Sequence, residues 1–211
     1  MIPMTVSCAL AVAALMLGEY LDNDRIRYTS KPIASLAFIA VGALALSGNS
    51  TISEFELAVI AGLILGAIGD MALLSEQGFL AGLVAFLLGH LHYVLAFATV
   101  APLATWATPI ALVPIAIAIG ALRWLWPHVG SLRIPVIAYV AVITAMVIGG
   151  LAVWRGAAIA HPTRMLAGTL LFFASDFAVA REKFVVSSIG NRIIGLPLYY
   201  AGQLLIAWSI S

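Results

Sequence analysis

The sequence predicts an all-α, polytopic integral membrane protein with eight transmembrane helices, and three observations carry that reading. Of 211 residues 64% are hydrophobic and only 9% charged, and the mean hydropathy is +1.13, more apolar surface than a soluble core can absorb. The apolar residues fall in separate runs of about 20, the number needed to cross ~30 Å of hydrocarbon at 1.5 Å per residue. No period-2 alternation of a membrane barrel runs through them.

In order, the runs cover about 2–21, 31–47, 55–74, 78–100, 105–126, 134–154, 163–181 and 191–210, and together they form a single transmembrane domain over 1–211. The first lacks a charged leading segment and is continuous with residues 1–17, so it reads as a span and not as a removable signal peptide. The second opens with "SKPIASLAF" and the sixth with "LRIPVIAYV". Each places a basic residue and then proline at a helix start, where the missing N–H costs nothing. Between the third and fourth only "SEQG" intervenes, enough for a tight helical hairpin. The pairs Gly62/Gly66 and Gly78/Gly82 allow close helix approach. Cys8 is the only cysteine, which leaves no intramolecular disulfide.

Eight spans sort the short loops onto two sides. One side receives Arg25, Arg27, Lys31, Arg123, Arg133, Arg181, Lys183 and Arg192; the other only Arg155 and Arg164. Basic residues favour the cytoplasmic side, so both termini are expected outside the cytoplasm, in a multi-pass cell membrane protein, the bacterial inner membrane being the expected location. The two halves also resemble each other. Lys-Pro recurs as Arg-x-Pro, Gly69-Asp70 as Ser175-Asp176, and "GHLHYVLAF" as "YAGQLLIAW", the pattern of a 4+4 parallel internal repeat.

Within the spans the acidic residues are Asp70 and Asp176, with Glu19 near the end of the first. An ionisable group in hydrocarbon costs roughly 2.5 to 3.5 kcal/mol even on the lenient insertion scale, which makes both aspartates candidate functional residues. The third and seventh helices run in the same direction, and at 1.5 Å per residue both carboxyls sit roughly 6 to 8 Å below the cytoplasmic boundary. One cavity can therefore hold both. On the fourth helix Phe79, Phe86, His90, Tyr93 and Phe97 share a face, while His92 points elsewhere. The eighth aligns Tyr199 or Tyr200 with Gln203, polar groups that need partners once buried. Lys31 enters its helix at the cytoplasmic boundary, where a lysine also serves as a snorkelling anchor.

The stretch "GDMALLSEQGFLAGLVAFLLGHLHYVLAF", together with "TSKP" at 29–32, "GTLLFFASDFAVAREKF" at 168–184 and "LYYAGQLLI" at 198–206, resembles the bacterial YhhN and animal TMEM86 family of membrane lysoplasmalogenases. The ordered set Lys-Pro, Gly-Asp, His-x-x-Tyr, Ser-Asp and Tyr-Tyr-x-x-Gln carries the resemblance over nearly the whole chain. The first span shows no motif of the family, and Glu19 and Tyr20 are placed by depth alone.

The resemblance implies an ether hydrolase that cleaves the vinyl-ether bond of lysoplasmalogen to a fatty aldehyde and glycerophospho-ethanolamine or -choline, with Asp70 and Asp176 as the essential acids. Vinyl ethers hydrolyse by protonation of the β-carbon, capture of the oxocarbenium ion by water and collapse of the hemiacetal. That route asks for one protonated acid and one anionic carboxylate. His90, Tyr93, Tyr199, Tyr200 and Gln203 would orient carboxyls or water, and Lys31 or Arg192 would hold the phosphate. No His and carboxylate spacing resembles a metal cage, so no cofactor is invoked. The expected partners are a lysophospholipid substrate and membrane lipid, with no nucleic acid. A rival class is a proton-coupled transporter of a small molecule or lipid, since paired repeats with intramembrane acids describe one too, although the aspartates lie near one face and not at mid-membrane. A non-catalytic lipid-binding protein is disfavoured by two buried acids.

Overall fold

Capping and proline positions, more than hydropathy, decide where the helices begin. In the computed structural model, which describes residues 1–48 and 51–211, α1 (Ile2–Tyr20) ends in a turn through Asp22, whose φ of 49° is of a kind that Asp tolerates better than most residues. The Asn23 side chain then accepts from the Ile26 N–H at 3.3 Å and starts α2 (Asp24–Leu46). The second helix therefore begins seven residues before the apolar run at 31. Pro32 lies inside it, not at its start, and the expected equivalence with the proline of the sixth helix fails at that point. The first turns of α2 are charged, and hydropathy alone cuts them off.

α3 (Glu54–Ala72) starts from a capping box between Ser53 and Glu56. A 3₁₀ turn at Glu76–Gly78 leads directly into α4 (Phe79–Val100), the tight hairpin anticipated for "SEQG". The fifth run departs most from expectation. Its α-helix, α5 (Leu112–Leu125), has 14 residues and is preceded by 3₁₀ turns at Leu103–Thr105 and Pro109–Ala111, because Pro102 and Pro109 cannot donate to a continuing ladder. A 3₁₀ turn at Gly130–Leu132 opens α6 (Arg133–Gly156). α7 (Pro162–Ala180) continues into a π turn at Arg181–Val185, and α8 (Ile189–Ser209) is capped by Ser188 and contains Pro197.

The described residues thus form eight α-helices and no strand. Six helical segments are long and apolar enough to cross a membrane: α1 to α4, residues 130–156 and residues 162–185; the shorter apolar segment 109–125 falls below that length. The helices pack as hairpins, α1 on α2, α3 on α4, α5 on α6 and α7 on α8, with α4 also against α6 and α8 against α2. One apolar core joins Leu15, Phe38, Leu63, Phe97, Met146 and Ile206, and a smaller one joins Leu125, Val129 and Val136 where α5 meets α6. α7 and α8 touch backbone to backbone at Gly168 and Gly202, where a Cβ on either would strike the other's carbonyl.

Candidate active site

Asp70 lies in the last turn of α3 and is 2% exposed. α2 presents Lys31 and Ser35, four residues apart and so on one face, and both reach it. Ser35 Oγ donates to Asp70 Oδ2 at 2.7 Å, and Lys31 Nζ lies 3.7 Å from Oδ1. Ser35 has a second acceptor, the Lys31 carbonyl at 3.0 Å. With one hydroxyl proton to give, the shorter, charge-assisted bond to Asp70 takes it. Tyr200 OH, 3.2 Å from Ser35 Oγ, then donates to that oxygen.

α8 completes the surroundings of Asp70. Tyr199 OH donates to Oδ2 at 2.8 Å; Gln203 Nε2 donates to Tyr199 OH at 3.3 Å; Tyr93 OH of α4 donates to Gln203 Oε1 at 2.7 Å. Tyr199 and Gln203 are an i, i+4 pair on one helical face. They fit because position 66 is glycine, where a Cβ would meet both the Gln203 amide and the Tyr199 hydroxyl.

Asp176, on α7, has far fewer partners. The Tyr139 hydroxyl of α6 faces its carboxyl group, and its Oδ2 is buried with no hydrogen-bond partner among the described residues. An aromatic cluster lies between the two acids: Phe172 meets Phe86 at 6.1 Å and Tyr199 at 5.0 Å, all near perpendicular. His90 is fully buried edge-on to Phe172 (4.5 Å) and Tyr139 (5.2 Å), and neither ring nitrogen has a partner among the described residues.

Both aspartates line one cavity of about 550 Å³, walled by Phe86, Tyr139, Phe172 and Tyr199. Its rim is charged. Glu19 accepts from Arg192 Nη1 at 2.9 Å and pairs by charge with Arg27, whose Nε lies 3.2 Å away, and Arg192 Nε also lies 3.6 Å from Glu182. Glu182, in the π turn, accepts from the Ser187 hydroxyl, the Ser188 N–H and the Asn191 amide at 2.7–2.8 Å. Arg181 donates to the same Asn191 at 2.5 Å. The link from α7 to α8 is thereby folded onto the π turn, and Arg192, the next residue, is aimed at the rim. π turns recur at functional sites.

Of the residues singled out in the sequence, Asp70, Asp176, Lys31, Tyr199 and Arg192 line the cavity; Tyr93, Tyr200 and Gln203 form a buried layer bonded to it through Tyr199 and Ser35, and His90 packs beside Tyr139 without lining it. Tyr20 is 71% exposed and takes no part, while Glu19 does. His92 turns away and bonds the Leu88 carbonyl. Sequence reasoning missed Ser35, Tyr139, Arg27 and Glu182. Ser35 had a signal, one helical turn after Lys31; the others had none beyond their polarity.

The structure is that of a helical membrane protein with two carboxyl groups on one part-apolar cavity and ion pairs at its rim, and intramembrane acids are rare outside functional sites. The YhhN family profile matches residues 26–210, and the chain belongs to the YhhN family. It is similar to the lysoplasmalogenase of Mycobacterium bovis, 34% identical over 167 residues that cover 70% of this chain and 58% of that protein. It is similar also to lysoplasmalogenase TMEM86A of Bos taurus, 33% identical over 161 residues (72% and 64%), and to lysoplasmalogenase TMEM86B of Homo sapiens, 34% identical over 152 residues (70% and 60%). The chain thus spans about 58–64% of the length of these relatives. No solved structure matches it.

Proposed function

We propose that this protein is a lysoplasmalogenase: it hydrolyses the vinyl-ether bond of a lysophospholipid by paired aspartate chemistry, without a metal. The observation that carries the proposal is the unequal dressing of two acids on one cavity. Asp70 has the partners of an anion, an ammonium group and two hydroxyl donors. Asp176 stands among apolar and aromatic walls, with Tyr139 as its one hydrogen-bond partner among the described residues.

Asp176, protonated, delivers its proton to the β-carbon of the vinyl ether, and the double bond's electrons form the new C–H bond. The positive charge then spreads over the α-carbon and the ether oxygen, where the Asp70 carboxylate stabilises it. Water adds to the α-carbon and gives its proton to a carboxylate of the pair. The resulting hemiacetal breaks its C–O bond, leaving a fatty aldehyde and the free hydroxyl of the glycerophospho headgroup, and proton exchange at the rim restores the starting state. Lys31 and Arg192 hold the phosphate; Tyr199, Tyr200, Gln203 and Tyr93 hold the Asp70 side in place.

The protein as proposed crosses the membrane eight times as one transmembrane domain, with both termini outside the cytoplasm. α8 has 21 residues, about 31 Å at 1.5 Å per residue, and its polar residues Asn191, Tyr199, Tyr200 and Gln203 are buried inward, which lowers its hydropathy without barring a crossing. A parallel 4+4 repeat is supported by the glycine contacts: Gly62 and Gly168 each precede an aspartate by eight residues, and each meets a glycine of the following helix, Gly89 or Gly202, that stands directly before His90 or Gln203.

The test is incubation of the purified protein with an alkenyl lysophospholipid and, separately, its acyl analogue, with mass spectrometry of products. Fatty aldehyde from the first is the expected result. Its absence, or equal release of fatty acid from the second, overturns the proposal.

A further inference from the structure

A second space lies directly behind the aspartate cavity. α5 and α6 leave between them an open apolar groove of about 250 Å³, lined by Ile115, Ile119, Ala141, Ala145 and Ile148 among others. Its one polar side chain, Thr144, spends its proton on the Val140 carbonyl at 2.6 Å. Ala118 and Val140 belong to both linings, so the wall between cavity and groove is a single layer of small side chains. α5 packs on α6 and on no other helix to a comparable extent. It is also the shortest of the eight, so this wall is the least braced part of the bundle.

The order of features along this path matches one kind of molecule. At the rim stand Arg27, Lys31 and Arg192; next come Asp70 and Asp176; then Ala118 and Val140; then a groove bounded by isoleucine and alanine with Ile115 and Ile119 substantially exposed. Counting from Arg133, Val140 lies about 10 Å and Ile148 about 22 Å along α6 at 1.5 Å per residue, so the groove runs from the depth of the acids into the mid-membrane. A charged head, a reacting atom just inside and one hydrocarbon chain beyond it is the layout of a single-chain phospholipid. A cavity closed on its deep side would have to bend that chain back toward the rim.

We infer that the α5–α6 seam at Ala118 and Val140 is the hydrocarbon-chain subsite of this protein, with the chain passing between the two helices and its end resting in the groove on the lipid side. The seam also gives a released aldehyde a direct way into the bilayer, where its partition is favourable. This rests on the reading of the substrate as a single-chain ether lysophospholipid.

The experiment uses a saturated alkyl lysophospholipid, which has no vinyl bond to protonate, with a diazirine at the chain end. Wild-type protein in lipid nanodiscs is photolysed with it and mapped by peptide mass spectrometry, with and without excess unlabelled alkyl lysophospholipid. Adducts concentrated at residues 115–122 and 141–148 and suppressed by the competitor are expected. In Ala118→Trp, which fills the seam, those adducts fall by roughly tenfold, the scale of overpacking an apolar site. Adducts confined to other helices, or adducts in the groove that the competitor leaves unchanged, overturn the inference, and the wild-type map decides it even where the tryptophan variant does not fold. Because the probe is never cleaved, competitor-sensitive groove labelling in a protein that yields no aldehyde from an alkenyl lysophospholipid would refute the proposed reaction and leave the chain subsite standing.

Discussion

Asp70 and Asp176 line the same cavity, yet one is saturated with partners and the other nearly bare. Around Asp70, α2 and α8 supply an ammonium group, a serine and a tyrosine hydroxyl, and a further layer of Tyr200, Gln203 and Tyr93 fixes those donors. Around Asp176 only the Tyr139 hydroxyl faces the carboxyl among the described residues, and Oδ2 has no partner there. A shared cavity has not brought a shared environment. Two identical side chains are thereby suited to opposite roles: an anion is held where hydrogen-bond donors converge, and a neutral acid where they are withheld.

The largest expected effect comes from removing either acid, and the comparison predicts that the two losses differ in kind. Asp176→Asn should cut turnover of an alkenyl lysophospholipid by about 10²- to 10⁴-fold, the usual worth of a general acid, with an unchanged melting temperature. Asp70→Asn should be equally inactive but less stable by on the order of 1–3 kcal/mol, because Lys31 loses its counter-charge and two buried hydroxyls donate to a neutral amide oxygen in place of a carboxylate. Equal melting temperatures for the two variants in detergent would break the distinction.

A smaller effect is expected from the hydroxyls. Tyr199→Phe removes a donor to Asp70 and orphans the Gln203 amide, and should lower kcat by roughly tenfold, about the worth of one charge-assisted bond. Ser35→Ala should act in the same direction. If Tyr199→Phe were instead neutral while Tyr139→Phe abolished activity, the roles of the aspartates would have to be exchanged.

The mildest test leaves the protein intact. Protonation of carbon by Asp176 as the slow step requires kcat to fall in D₂O, whereas activation of water first, as in ester cleavage, extends activity to acyl lysophospholipids. A rate unchanged in D₂O together with ready acyl turnover would rule out the acid-first order. Orientation is checked separately: a reporter fused after Ser211 should read as non-cytoplasmic.

Much of the helical framework was legible because burial in lipid leaves a strong periodic record, and the aspartates stood out because charge within it is costly. The misplacements have local causes. α2 starts at an asparagine cap followed by Asp24, Arg25 and Arg27, residues that hydropathy counts as loop. α5 is shortened by prolines within a run that is apolar throughout. Within the site, Lys31 and Tyr199 announced themselves by type and depth. Ser35 and Tyr139 did not, since serine and tyrosine are ordinary in membrane helices and only the approach of a neighbouring helix gives them a partner. Glu182 could not be read at all, because its importance comes from the π turn that folds the following loop onto it.

The hydrogen-bonded row Tyr93, Gln203, Tyr199, Asp70 runs in one direction only. Tyr199 spends its single proton on Asp70 and must accept from Gln203, whose amide presents nitrogen on that side and oxygen toward Tyr93. An amide does not hand on a proton as a chain of hydroxyls or waters can. Gln203 therefore acts as an insulator: it transmits orientation from α4 to the carboxylate while interrupting a proton wire along this row. A site carrying an acid within reach of both membrane faces would be a leak; with this row broken at Gln203, the mechanism proposed above would recharge its acids from the charged rim.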